Sequence, residues 1–241
     1  MKQTSLKEIK YLYKKANKFS ENYETEKCLD ALDEMLQCIK ALCKEKNVNK
    51  FKDVAAITDY EVSIEELISI YLLETLDVNP TKEKASRFLS FLKALKKGFE
   101  EDLAYLDVSK AKAMYISHNR AEAYILLDKI IAENEEDIDA KILKLTWNML
   151  EFKKEEGIAL ASSIEKDLDD IDDITKKIDG YEFLAKYYRK VKDLVKAKKM
   201  DKFFKEAQMA FVEDMGDYID EDIDEEELAA DMLKNFNRKN I

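Results

Sequence analysis

The side chains able to do chemistry are few in this sequence, and they do not converge. A single histidine, His118, precedes Asn119 in what reads as a turn between two helices, where an imidazole serves as a solvated polar residue. Three cysteines, Cys28, Cys38 and Cys43, form an odd set without C-x-x-C spacing, all within one expected helix. That pattern points to free, buried or half-buried thiols in a reducing compartment. Asp220, Asp222 and Asp224 alternate like the first three ligands of a calcium-binding loop. Glu225, however, stands where that loop turns on glycine, and Asp231 where it needs a bidentate glutamate. A solvated acidic segment, or the acidic start of a helix, is the expected reading. No Walker loop, G-x-G-x-x-G, G-x-S-x-G or H-E-x-x-H run occurs. No catalytic residue, no metal ligand and no cofactor is therefore assigned, and an enzyme is not expected.

Charge narrows the partners. The net charge is −11, but residues 206–241 hold 12 acids against 3 bases, which leaves the first 205 residues close to neutral. A phosphate backbone needs a basic footprint, so nucleic acid is not an expected partner. The N-terminus lacks the apolar core of a secretory signal. The longest apolar run, Leu67 to Leu73, is far shorter than the roughly 20 residues needed to cross a bilayer. The Asn79-Pro80-Thr81 triplet is blocked as a glycosylation acceptor by its proline. A cytoplasmic protein without membrane association is the expectation.

The elements that would position a binding surface are helices. With 4 Gly and 1 Pro there is little material for tight turns or flexible linkers, and strand-like alternation is nearly absent. Ser5-x-x-Glu8 and Ser63-x-x-Glu66 are capping boxes, the first opening a helix with Leu6, Ile9, Leu12, Ala16 and Phe19 on its apolar side. A second helix, near Glu24 to Glu45, aligns Cys28, Leu32, Met35, Ile39 and Leu42. After the polar Asn47-Val48-Asn49-Lys50 break, the stretch to Val62 is ambiguous. Asn79-Pro80 reads as a cap followed by a first-turn proline, opening a helix that Gly98 ends. Further helices are expected near 99–117, 120–134, 138–152, 156–169, 174–190 and 193–214, with a short one near 225–236.

Small residues recur at the start of alternate helices. Ala85, Ala123, Gly157 and Ala197 are separated by 38, 34 and 40 positions, and inner-stripe residues follow four and seven places later, except that the last copy is poorer, with Asp201 before Phe204. The preceding helices repeat as well: Val108-Ala111-Tyr115 recurs 34 residues on as Ile142-Leu145-Met149, and Tyr181, Leu184, Ala185 and Tyr188 supply a third copy. This last set resembles the aromatic-x2-Leu-small-x2-Tyr signature of tetratricopeptide repeats. The resemblance covers about 100–211 well, 63–98 moderately and 5–46 weakly. It departs from the family in lacking the proline that ends each repeat and in two spacings longer than 34, one carrying Asp169–Asp173 as an insertion.

The resemblance implies an all-α solenoid of antiparallel helix hairpins over residues 63–214, with 1–62 as an N-terminal hairpin and linker packed on it and 215–241 as an acidic tail. It also implies a concave groove lined by the first helices, in which a partner protein or peptide lies. Stepping round those helices places Ala113, Ser117, Leu143, Trp147, Leu150, Lys186, Arg189 and Lys190 on the inward side. Trp147 would be the anchor, and the cations would read acidic groups on the partner. An adaptor, regulator or chaperone is the expected role. A self-assembling scaffold whose terminal hairpin pairs with a second copy is the alternative.

Overall fold

The structure, a computed structural model, describes residues 6–216, and every regular element among them is helical. The chain divides into two compact units, the first ending at Asn134 and the second beginning at Glu135. The expected helix near 225–236, the Asp220–Asp224 alternation and the Ser5 cap lie outside the described residues.

In the first unit, α1 (Leu6–Glu21) packs on α2 (Thr25–Lys46), followed by a short α3 (Phe51–Ile57). The helix α4 (Ile64–Leu72) continues into a π-helical turn, Leu73–Asp77, and α5 (Lys82–Gly98) follows. A 3-10 turn, Ala104–Leu106, then leads into α6 (Asp107–Ile116), which packs on α7 (Arg120–Glu133). The stripe expected on α2 is buried throughout, and it joins Ile9, Leu12, Ala16, Tyr71, Phe88 and Leu95 in one apolar core. Polar ties cross this core. The Tyr71 hydroxyl donates to Asp33 at 2.9 Å, and Arg87 donates to the other Asp33 oxygen at 2.7 Å, linking α4 and α5 to α2. The buried Glu74 carboxylate accepts from Ser20 and from Thr25 at 2.6 Å, so the π-helical turn is fastened to the α1–α2 connection.

Two local expectations are corrected. Ser63 caps α4 as its spacing requires, accepting from the Glu66 N–H at 3.0 Å. The cap of α5, by contrast, is Thr81, not Asn79; its hydroxyl accepts from the Lys84 N–H at 3.3 Å. Pro80 excludes the right-handed helical conformation from the residue before it, and Asn79 instead takes a left-handed one, at φ 46°. The second correction falls on 99–106, which is not part of the following α-helix. The Glu100 N–H donates to the Asn49 carbonyl at 2.8 Å, and the Glu101 carboxylate accepts from the Phe51 N–H at 2.9 Å. Phe99 packs edge-on to Phe51 with ring centroids 5.1 Å apart. This stretch therefore caps α3 from a distance, a role its own helical periodicity conceals.

In the second unit, α8 (Ile138–Leu150), α9 (Lys154–Asp170), α10 (Ile174–Lys190) and α11 (Leu194–Gly216) pack each on the next. Asp137, Asp173 and Asp193 cap α8, α10 and α11, accepting from the Ala140, Lys176 and Lys196 N–H groups at 2.9, 3.1 and 3.1 Å. The Asp169–Asp173 stretch expected as an insertion is thus shared between the last turn of α9 and the cap of α10. Leu145, Ala161, Ile164, Leu168, Leu184, Tyr188 and Met200 form the core.

Four connections share one backbone design. Tyr23, His118, Phe152 and Lys192 each take a left-handed conformation, with φ of 59°, 72°, 60° and 65°. The next residue donates to the carbonyl five positions back: Glu24 to Phe19, Asn119 to Met114, Lys153 to Asn148 and Asp193 to Tyr188, at 2.8 to 2.9 Å. Such a bond closes off the first helix. The carbonyl of that same residue then accepts from a small residue one turn into the second helix: Cys28, Ala123, Gly157 and Ala197, each at 3.0 Å. All four small residues are buried. Cys28, and not Ala85, is the counterpart in the first hairpin, because the connection to α5 carries the extra Pro80-Thr81 step.

Close helix approach is most demanding at Gly180 of α10. A β-carbon there would lie 2.5 and 2.7 Å from the two methyl groups of Leu168, a buried residue of α9. Helix propensity alone would make Gly180→Ala stabilising by about 1 kcal/mol. The overlap should reverse the sign, giving a net loss of about 1–2 kcal/mol in urea unfolding; a gain would show that α9 and α10 stand further apart than described.

Candidate functional site

The residues expected to line a groove are not all at the surface. Trp147 is 2% exposed and Ala113 is fully buried. The expectation of an exposed indole anchor is corrected: an indole in the inward row of α8 removes a large apolar area from water by packing instead. Ser117 is half-buried, and its hydroxyl donates to the Met114 carbonyl at 3.1 Å, closing the end of α6. Leu143 is half-buried, whereas Leu150, Lys186, Arg189 and Lys190 are exposed. Lys186 pairs with Glu182 one turn earlier at 2.9 Å. One Arg189 nitrogen reaches both oxygens of Asp201 at 2.5 and 2.6 Å, tying α10 to α11. Of the three expected cations only Lys190 makes no ion pair among the described residues.

Lys190 lines a cleft of about 480 Å³ in the second unit, where the α8–α9 and α10–α11 connections come together. Met149, Phe152, Lys154 and Gly157 form one side, and Tyr187, Val191 and Lys192 join Lys190 on the other. The repeated connection explains this placement: Phe152 and Lys192 hold the same left-handed position in successive hairpins. A second cleft of about 560 Å³ shares Lys154, Val191 and Lys192, and adds Ile158, Tyr188, Asp193, Leu194, Val195 and Lys196.

Three features set the first cleft apart. Phe152 is 90% exposed and sits at φ 60°, so an aromatic side chain occupies a conformation suited to glycine or asparagine while covering nothing. Lys154, Lys190 and Lys192 are exposed and unpaired among the described residues, whereas Lys153 is held by Glu151 at 3.1 Å and Lys196 by Glu165 at 3.1 Å. Beneath them the buried Tyr187 hydroxyl has no hydrogen-bond partner among the described residues, and burial raises its pKa although Lys196 pulls it back in part. Gly157 makes room for that hydroxyl, which would stand 2.9 Å from any β-carbon placed there.

The remaining reactive groups are built into packing. Lys141, 5% exposed, donates to Ser163 at 2.8 Å and to Asp167 at 2.5 Å. A lysine beside a serine has the outline of a nucleophile and its base, but the amine is committed to Asp167 in a buried ion pair joining α8 to α9. Removing one partner of such a pair costs about 3–5 kcal/mol. Burial, reinforced by Glu74, pushes the Cys28 thiol up to about 12, and burial pushes Cys43 up to about 11. Cys38, half-buried, is also raised, by burial first and then by Glu8 and Glu34. His118 is an exposed turn residue. No group of three or more His, Cys, Asp or Glu side chains is arranged to hold a metal ion among the described residues, and no described helix is long and apolar enough to cross a membrane.

Phe152, Lys154, Lys192 and Tyr187 are not found by stepping round the first helices, since three of them lie at or beside the turns. Tyr23, Tyr60 and Phe152 all place an exposed aromatic ring in the left-handed region, and Phe152 differs from the other two in having no polar end.

Two outcomes follow from this geometry. Phe152→Asn should raise unfolding stability by about 1 kcal/mol, since asparagine tolerates the left-handed region; a loss would mean that Phe152 packs on the fold. At pH 8 a maleimide should modify at most Cys38 in the native protein, while guanidinium exposes all three thiols; rapid native labelling of Cys28 or Cys43 would contradict their burial. Comparison of the chain with protein-family models, with curated proteins and with solved structures finds no match.

Proposed function

We propose that this chain is a non-catalytic protein-interaction module, an adaptor, regulator or chaperone, built as a tetratricopeptide-like solenoid of helix hairpins. The repeated hairpin connection supports the architectural part: a left-handed residue, a closing hydrogen bond and a buried small residue recur four times. Stacked hairpins of this kind are suited to presenting surface to another polypeptide.

The observation that carries the functional part is Phe152. The left-handed backbone costs stability and the exposed ring gains none from burial on folding, so contact with another molecule would supply the burial that this fold does not. With Leu150, Ile158, Leu194 and Val195 also exposed nearby in sequence or across the adjoining clefts, the partner surface moves from the concave row of first helices to the hairpin ends of the second unit. Lys190 remains in the reading, whereas Trp147 leaves it.

The test is photocrosslinking from full-length protein carrying benzoylphenylalanine at position 152, with the same residue at Tyr60, an exposed first-unit site with the same left-handed backbone, as control. In lysate from the source cells, a discrete polypeptide adduct should form from position 152 alone and be suppressed by excess unmodified protein. Equal labelling from both positions would refute the reading. Adducts only between copies of the chain would favour the self-assembling scaffold.

A further inference from the structure

We propose that the cleft between the 151–153 and 191–193 turns takes an acidic peptide segment of another polypeptide, with one large apolar side chain seated against Phe152. This rests on the interaction reading above and adds the chemistry of the partner.

The apolar requirement comes from Met149, Val191 and the uncovered Phe152 ring, which line a space of about 480 Å³. That size lies within the roughly 300–1,000 Å³ of sites that enclose a ligand. The acidic requirement comes from bookkeeping of charge around the mouth. Glu151 neutralises Lys153, Asp201 neutralises Arg189, and Glu165 neutralises Lys196. Lys154, Lys190 and Lys192 remain and line the cleft. Asp193 lines only the adjoining one and accepts from the Lys196 N–H, which leaves an excess of positive charge at the mouth. Glu155 and Glu156 follow Lys154 in the first turn of α9, where the helix dipole favours them, and neither lines the cleft. Three like charges facing one concavity repel one another, and a carboxylate-bearing segment relieves that repulsion while its apolar residue covers Phe152. A concave wall with depth for a side chain favours a peptide over a flat anionic lipid surface.

Fluorescence polarisation of full-length protein with end-blocked, fluorescein-labelled peptides of about twelve residues tests this. One peptide combines Glu and Leu at helical spacing; a second replaces Glu by Gln, and a third replaces Leu by Ser. The Glu/Leu peptide should bind, and each replacement should weaken binding about tenfold. Lys154→Gln/Lys190→Gln/Lys192→Gln protein and Phe152→Ser protein, with unchanged helicity, should each lose about the same factor. Equal binding of the Glu and Gln peptides would overturn the acidic assignment while leaving the interaction reading intact, since crosslinking at position 152 does not depend on charge. Binding that appears only after the acids of 217–231 are changed to amides would overturn it in favour of the chain's own acidic segment. Binding to phosphatidylserine vesicles in place of the peptides, self-association abolished by Phe152→Ser, or no binding at all would equally overturn it.

Discussion

Each hairpin depends on how closely its second helix can approach its first. The approach is set within one turn of the connection, where a buried Cys28, Ala123, Gly157 or Ala197 hands its N–H back to the residue that has just closed the preceding helix. Any bulkier side chain there would push the two helices apart and open the apolar seam behind it. The left-handed residue before it is the geometric counterpart, since it turns the chain sharply enough for the two helices to begin side by side. Packing and turn are thus one constraint seen from two sides.

That constraint leaves the residue at the tip of the turn free of packing duties. In three of the four connections the tip carries Tyr23, His118 or Lys192, side chains with a polar end that water can satisfy. Phe152 has no such end. Because the α10–α11 connection lies across the same cleft, the phenyl ring stands beside lysines supplied by a different hairpin. The candidate surface is thus a consequence of repetition: two copies of one turn, brought together, place different residue types at equivalent positions. The same repetition sets Tyr187 over Gly157, so the small residue that permits close approach also accommodates a buried hydroxyl.

Polar groups divide sharply between those spent on the fold and those left over. Asp33 gathers Tyr71 and Arg87, Glu74 gathers Ser20 and Thr25, Asp167 holds Lys141, and Asp201 holds Arg189. Asp33 and Glu74 each join three elements, Asp167 and Asp201 two, and a partly satisfied network would be worse than none. Lys166, Lys177, Lys198 and Lys205 of the same unit also make no ion pair among the described residues, so what distinguishes Lys154, Lys190 and Lys192 is that they line one cleft together.

Much of the architecture was legible in the residues alone. Capping serines, acids at helix starts and 3.6-residue periodicity specify helices locally, since the relevant hydrogen bonds close within a few residues; Ser63 and the α2 stripe are examples. The recurrence of Ala123, Gly157 and Ala197 likewise follows from a steric need that small residues advertise. What lay beyond the sequence depended on distant neighbours. Residues 99–106 leave the helix because they cap Phe51 about fifty positions away. Trp147 is buried although it lies on the row expected to face a groove, and in α10 Tyr181, Leu184, Ala185, Tyr187 and Tyr188 are all buried, so neighbouring helices cover most of its circumference. Periodicity identifies an apolar stripe but cannot tell how many sides of a helix its neighbours will cover. Nor can composition tell which of many lysines find a carboxylate, because pairing requires atoms within about 4 Å and only the packed chain decides which side chains come that close.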